Sequence, residues 1–146
     1  MTQEAGLAMD RGALEQFLRV DFPQAVDDFA VERVAADGLT LRLKVTDRHL
    51  RPGGTVSGPA IFALADVAIY LTILSRIGPV ALAVTTNASL DFMRKPAAGV
   101  DLLARVQLLK LGRRLAVGEC LIRSDGGDAV VARASMTYSI PPHTTG

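Results

Sequence analysis

The chain has 146 residues and a formal net charge of +1, with 49% hydrophobic and 21% charged residues. This composition is typical of a globular protein, and the length predicts a single domain over residues 1–146. The near-neutral charge excludes a strongly basic surface of the kind that wraps nucleic acid. One cysteine and two histidines predict neither an intramolecular disulfide nor a metal site.

The N-terminal segment carries no secretory signal, because residues 1–16 are polar and of mixed charge. The longest apolar run, residues 59–74, is short for a membrane span and contains a carboxylate. We therefore expect a cytoplasmic protein with no membrane or nucleic-acid partner and no cofactor. Residues 1–5 and the tail from residue 141 are expected to be loose.

Two elements are predicted before the apolar run. Apolar residues at helical spacing predict one short amphipathic helix within residues 7–22, ended by Pro23. The dipeptide Asp37-Gly38 then separates two runs of near-alternating polarity, which predicts a β-hairpin. In its second strand the odd positions from 39 to 45 are apolar and the even positions from 40 to 46 are polar. We therefore expect a strand with one buried face and one wet face.

The apolar run itself predicts a long buried helix, because a helix that is apolar on every side has no face for water. Ser57-Gly58-Pro59 is a typical helix start, and Gly78-Pro79 ends the segment. The one charge within the run is Asp66. Since a carboxylate is almost never fully buried without a partner or a function, this residue is the first candidate for chemistry.

Four strand candidates follow the helix, over residues 81–92, 100–111, 113–124 and 129–140. Short glycine-containing turns separate the last three, which predicts an antiparallel meander in the C-terminal half. A flat sheet cannot bury a helix that is apolar on every side. We therefore predict an α+β fold in which a curved antiparallel sheet wraps around the long helix, and a second protomer covers what remains open.

The loop and helix from residue 51 to residue 68 resemble the PaaI-type (4-hydroxybenzoyl-CoA thioesterase-like) acyl-CoA thioesterases. The family pattern is roughly Asn-Pro-x-Gly-x-Val-His-Gly-Gly, then Leu-Ala-Asp/Glu-x-Ala; here RPGGTVSGP occupies residues 51–59 and LADVA residues 64–68. Similar strand sequences bring the resemblance to roughly residues 25–140. The resemblance implies the hotdog fold and hydrolysis of an acyl- or aryl-CoA thioester by a homodimer or a dimer of dimers.

The resemblance also implies catalytic roles for three residues. Asp66 lies at the family's spacing from the histidine position and would attack the thioester carbonyl or activate a water. The Gly58 N–H would bind the oxyanion at the helix N-terminus. Ser57 stands in place of the histidine and would act through its hydroxyl, or itself be the nucleophile. Structural readings stay open: hydroxyls such as those of Thr85 and Thr86 could simply satisfy the carboxylate, and Ser-Gly-Pro is an ordinary helix start.

Six further residues are predicted to contact the substrate: Thr85, Asn87, Tyr70, Arg94, Lys95 and Arg113. The first two are expected on one face of the strand after the helix, facing the site across the dimer. The tyrosine, one turn after Asp66, would orient the carboxylate or line the acyl pocket. The three basic residues would bind the phosphates of coenzyme A. A polar strand face, core packing and solvated charges are the corresponding structural readings.

Three departures from the family pattern leave a second hypothesis open. Arg51 replaces the loop asparagine, Ser57 the histidine and Pro59 the second glycine. A protein that lost turnover with these residues would bind acyl-CoA without hydrolysing it. A structural oligomer without a ligand is a third hypothesis, and a hotdog dehydratase is disfavoured because the helix carries no histidine. We expect His49, in the preceding loop, to be solvated.

Overall fold

One long helix lies against a curved, six-stranded antiparallel sheet in the computed structural model, which describes residues 6–142. The predicted α+β arrangement, including the short N-terminal helix, is confirmed. The residues expected to be loose lie largely outside the described part of the chain. The helices and strands, in chain order, are α1 (Arg11–Asp21), β1 (Phe29–Ala35), β2 (Gly38–Leu43), α2 (Gly58–Ile77), β3 (Val84–Phe92), β4 (Leu102–Leu111), β5 (Leu115–Ser124) and β6 (Val130–Ser139).

The strand order in the sheet is β1-β2-β4-β5-β6-β3, and every neighbouring pair is antiparallel. Strands β4, β5 and β6 form the predicted meander. Strand β3 lies outside this meander: it pairs with β6 at the edge, and β4 pairs with β2 in the middle of the sheet. The segment between β3 and β4 therefore crosses from one side of the sheet to its centre.

Helix α2 supplies the middle of the hydrophobic core. Its side chains at Leu64, Ala65, Ala68 and Ile69 are inaccessible to solvent, and they pack against the strands. The helix is long and apolar enough to cross a membrane, with a mean hydropathy of 1.8 over the best window, yet 61% of that window is buried inside the protein. The apolar side chains of α2 are therefore buried largely against the sheet.

Helix α1 covers the β1 edge of the sheet. Asp10 caps the helix by accepting a hydrogen bond from the Ala13 amide at 2.9 Å, and Leu14 and Leu18 are fully buried. A Glu15 carboxylate oxygen accepts a hydrogen bond from the Val31 amide, at the irregularity in β1. An exposed sheet edge invites pairing with another chain, so this helix protects one edge.

The opposite edge, formed by β3, has no neighbour within residues 6–142. Most of its residues are exposed, including the large apolar side chains of Val84 (55% exposed) and Phe92 (58% exposed). The side of α2 next to it is also open, since Phe62 is 40% exposed and Asp66 and Val67 are only half-buried. One side of the protomer therefore combines an unpaired strand with an apolar surface.

The helix packs closely on the sheet at Gly118 on β5. A Cβ atom added there would lie 2.8 Å from Cγ2 of Ile69, which is too close for two carbon atoms. We expect Gly118→Ala to lower the free energy of unfolding by roughly 1–3 kcal/mol, because the helix has to shift to accept the methyl group. Chemical denaturation of the variant measures this loss.

Gly12→Ala is the matched control, because the same atoms are added on α1, where the new Cβ would meet only the Asp10 carboxylate at 3.6 Å. In a helix this change stabilises by up to about 1 kcal/mol. Equal losses in the two variants would contradict the close contact at Gly118.

Candidate active site

The N-terminus of α2 is built by a short loop that folds back on itself. Leu50 and Val56 form an isolated β-bridge, and the Ser57 amide donates to the His49 carbonyl oxygen at 2.7 Å. The Ser57 hydroxyl oxygen then accepts a hydrogen bond from the Ala60 amide at 3.3 Å and caps the helix. Ser57 therefore serves the helix start.

His49 is buried, with 8% of its surface exposed, so the expectation of a solvated loop histidine is wrong. Its Nδ1 accepts a hydrogen bond from the Thr46 amide at 2.9 Å, and its Nε2 lies 3.5 Å from a carboxylate oxygen of Asp28. Both ring nitrogens thus face polar groups: one faces the Thr46 amide in the loop, and the other faces Asp28, the residue before β1. The ring stabilises the loop that precedes Ser57, and it forms no hydrogen bond with the Ser57 hydroxyl.

Gly58 is the first residue of α2, and Pro59 is the second. The first amides of a helix have no acceptor inside the helix, so the Gly58 N–H points out of the helix N-terminus. The ring of Phe92 lies beside it, 3.7 Å from where a Cβ at Gly58 would be. No acceptor for this N–H is found among residues 6–142. Together with the positive end of the helix, this free N–H favours a negatively charged oxygen at this position.

A cavity of about 520 Å³ opens beside Gly58. Apolar and basic residues line it together: Arg51, Thr55, Val56, Gly58, Ile61, Phe92, Met93, Arg94, Lys95 and Pro96. The Arg94 Nε donates to the Val130 carbonyl oxygen at 2.9 Å, which holds that side chain beside the cavity. The structure thus places the predicted residues Arg94 and Lys95 together with Gly58.

Asp66 lies in the middle of α2, half-buried, on the open side of the protomer. Its Oδ1 accepts two hydrogen bonds, from the Thr85 hydroxyl at 2.6 Å and from the Tyr138 hydroxyl at 2.5 Å. No donor to Oδ2 is found within residues 6–142. One carboxylate oxygen is therefore held and the other is available.

Tyr138 is the residue of this cluster that sequence reasoning missed. It comes from β6, its ring is 3% exposed, and it stacks on Tyr70 with ring centroids 5.9 Å apart and planes 21° apart. The Tyr70 hydroxyl donates to the Ala81 carbonyl oxygen at 3.1 Å, so Tyr70 supports the second ring rather than touching the carboxylate. The alternation of β6 carried a usable signal, since the inward positions 132, 134 and 136 lead to position 138.

Thr85 and Asn87 do not share a face of β3, contrary to expectation. The pairing of β3 with β6 shifts register between these residues, so Thr85 pairs with Tyr138 and Asn87 pairs with Thr137. Paired residues lie on the same face of an antiparallel sheet. Thr85 therefore points inward to Asp66, whereas the exposed Asn87 lies on the outer face.

Arg113 is placed far from the cavity that contains Arg94. It lies in the turn between β4 and β5 and lines a second opening of about 1030 Å³ together with Lys110 and Arg114. This turn is near the beginning of β3, because Leu115 and Val84 both pair with Ser139. Strand β3 has nine residues and is thus about 30 Å long. Arg94 follows its other end, so Arg113 and Arg94 lie at opposite ends of this strand.

Gly58 and Asp66 are also separated within one protomer. They are eight residues apart on the same helix, which corresponds to about 12 Å along the axis. One substrate carbonyl cannot contact both groups at once over this distance. The candidate residues of a single chain therefore form two separate groups, one at the helix N-terminus and one at its middle.

The two tyrosines give a testable signature of this burial, because the chain has no tryptophan and only two tyrosines. Burial, followed by the charge of Asp21, raises the pKa of Tyr70 from 10.0 to about 12. Burial, and then the Asp66 carboxylate, raises the pKa of Tyr138 still further. The folded protein therefore keeps both phenol protons at a pH where unfolded tyrosine loses them.

We expect no phenolate absorbance near pH 10 in the folded protein, and a normal transition near pH 10 in denaturant. The contribution of the phenols to stability is complete below pH 10 and falls as the pH rises towards 12, by at most about 1.4 kcal/mol per pH unit for each ring. Cys120, whose pKa burial raises from 9.0 to about 12, adds a similar loss from pH 9 upward, which Cys120→Ala would remove. A phenolate band at pH 10 in the folded state would contradict the burial.

Comparison with known proteins identifies the family. The model of the Thioesterase superfamily matches residues 53–131, which are 79 of the 146 residues. A Pseudomonas aeruginosa protein named as a candidate esterase is 33% identical over 104 residues, covering 70% of this chain and 75% of the relative. Both findings place the chain in a family of thioesterases and related proteins.

Solved structures agree with this assignment. A candidate thioesterase from a Silicibacter species is 56% identical, with 96% of this chain and 97% of that chain covered and a TM-score of 0.89. A mutant of the phenylacetic acid degradation protein PaaI from Thermus thermophilus is 29% identical, with 82% and 99% covered and a TM-score of 0.70. The chain is a PaaI-like member of the thioesterase superfamily with the hotdog fold.

Proposed function

We propose that the protein hydrolyses an acyl- or aryl-CoA thioester to the free acid and coenzyme A, with Asp66 as the reacting carboxylate. The observation that carries the proposal is the state of this side chain: Oδ1 is held by two hydroxyl donors, and Oδ2 has no donor within residues 6–142. Oδ2 is not a buried atom, so a water or a substrate can reach it.

Either of two reactions fits this carboxylate. As a general base, Oδ2 takes a proton from a water that attacks the thioester carbonyl, and the tetrahedral intermediate expels the coenzyme A thiolate. As a nucleophile, Oδ2 attacks the carbonyl itself, and water then hydrolyses the resulting anhydride. Both routes place negative charge on the carbonyl oxygen, which requires a hydrogen-bond donor nearby.

Gly58 supplies that donor from a second copy of the chain. Pairing of two β3 edges in antiparallel fashion about Ala88 sets Val84 opposite Phe92 of the partner subunit. Phe92 lies against Gly58, and Thr85, next to Val84, binds Asp66. The pairing thus brings Asp66 of one protomer to Gly58 of the partner subunit, and a homodimer contains two such sites.

The same pairing gathers the basic residues. The beginning of β3, near Arg113, comes to lie beside the end of the partner's β3, which is followed by Arg94 and Lys95. These cations, with Arg51 of the same cavity, fit the phosphates of coenzyme A, and the apolar lining residues Val56 and Ile61 fit an acyl or aryl group. The exposed Asn87 is proposed as a further contact, on the outer side of the edge strand.

A non-catalytic binder of acyl-CoA is the alternative function. It is favoured by the use of Ser57 as a helix cap, because its hydroxyl oxygen already accepts a hydrogen bond from the Ala60 amide and a hydroxyl is a far weaker base than a histidine ring. In that case the cavity beside Gly58 would take the ligand without turnover. The next experiment distinguishes the two functions.

We expect the wild-type protein to hydrolyse at least one member of an acyl- and aryl-CoA panel, and Asp66→Asn to lower kcat by roughly 100-fold or more, since the amide neither takes a proton nor attacks. Thiol release measures the rate. Asp27→Asn, the same change at an exposed carboxylate before β1, should retain full activity. Binding of the panel without turnover would establish the alternative, and full activity of Asp66→Asn would refute the role of Asp66.

A further inference from the structure

We propose that Tyr138 is a positioning residue, which locks Oδ1 of Asp66 so that Oδ2 is the oxygen that reacts with water or with the thioester. This inference deepens the proposed function and rests on it. The resemblance and the sequence pattern assigned no role to this tyrosine. Its place beside the carboxylate is a finding of the structure.

The geometry allows one strong hydrogen bond from the phenol to the carboxylate. The Tyr138 hydroxyl lies 2.5 Å from Oδ1 and 3.0 Å from the backbone carbonyl oxygen of Asp66. A phenol has a single proton, and the shorter distance and the negative charge favour Oδ1 as its acceptor. The second contact holds the hydroxyl over the helix backbone at Asp66, so the phenol is fixed with respect to both parts of the residue.

Thr85 completes the lock from another strand. Its hydroxyl donates to the same oxygen at 2.6 Å, so α2, β3 and β6 meet at Oδ1. Rotation of the carboxylate plane about its terminal bond away from this orientation would break both bonds. The arrangement therefore selects one carboxylate orientation, in which Oδ2 is turned away from both donors.

The phenol is a reliable donor because it keeps its proton. Its ring is almost entirely buried, and burial together with the nearby Asp66 carboxylate raises the pKa of Tyr138 well above its usual range. The stack on Tyr70, whose hydroxyl is bound to the Ala81 carbonyl oxygen, limits movement of the ring. A rigid, protonated donor is suited to positioning a reactive group.

The test removes the hydroxyl and keeps the ring. We expect Tyr138→Phe to lower kcat on the order of 10- to 100-fold with KM nearly unchanged, because the carboxylate loses its preferred orientation while the cavity is intact. Thr72→Val is the matched control: it removes a buried hydroxyl of α2, which donates to the Ala68 carbonyl oxygen and not to Asp66, and should leave kcat near the wild-type value.

A double-mutant cycle separates positioning from a general structural role. In the Asp66→Asn background, Tyr138→Phe should cause little further loss of kcat, since the group that it positions no longer reacts. Equal losses in both backgrounds would mean that Tyr138 acts only on the fold, and the inference would be wrong. Full activity of Tyr138→Phe beside a large loss for Asp66→Asn would also overturn it, while leaving the proposed function intact.

Tyrosine fluorescence gives a readout that needs no turnover. The chain has two tyrosines and no tryptophan, and donation of a phenol proton to a carboxylate quenches tyrosine emission. Asp66→Asn should therefore raise the emission of the wild-type protein and of Tyr70→Phe, but not that of Tyr138→Phe. Unchanged emission in all three would refute the hydrogen bond. A wild type that hydrolyses no thioester would refute the proposed function, and the inference with it.

Discussion

The incomplete burial of helix α2 is the constraint on which the rest of the structure depends. A helix that is apolar on nearly every side needs cover all round, and the six-stranded sheet with α1 leaves one side open beside the unpaired strand β3. On that side lies Asp66, flanked by the partly exposed Phe62 and Val67. The uncovered side of α2 thus exposes a carboxylate, an apolar surface and a strand edge together.

Rigidity of the same helix keeps the two groups of candidate residues of a single chain apart. Gly58 offers an amide at the first position of α2 and Asp66 a carboxylate two turns later, at a separation that the helix does not allow to change. In the homodimer that we propose, pairing of the β3 edges satisfies the strand, covers the open side of the helix and joins the two groups. The proposed dimer would therefore both cover the open side of the fold and bring Gly58 to Asp66.

Features with a strong local cause could be predicted from the sequence, and features with a long-range cause could not. Periodicity and turn residues predict the long helix with Asp66, its start at Ser57-Gly58-Pro59 and the approximate strand boundaries. The register shift beside Thr85 depends on how β3 meets β6, and it moves Asn87 to the other face. Tyr138 is 72 residues from Asp66, and only the strand order, with β3 next to β6, brings the two together with Thr85.

Subunit complementation tests the central claim most directly. Gly58→Pro removes the amide proton at a helix position that accepts proline, and Asp66→Asn removes the carboxylate. Each variant alone should be nearly inactive, whereas mixed dimers regenerate one intact site, so co-expression should restore a substantial part of the wild-type thioesterase rate. If mixed dimers form and the rate does not exceed that of the separate variants, the two groups do not act across the subunits, and the account is wrong.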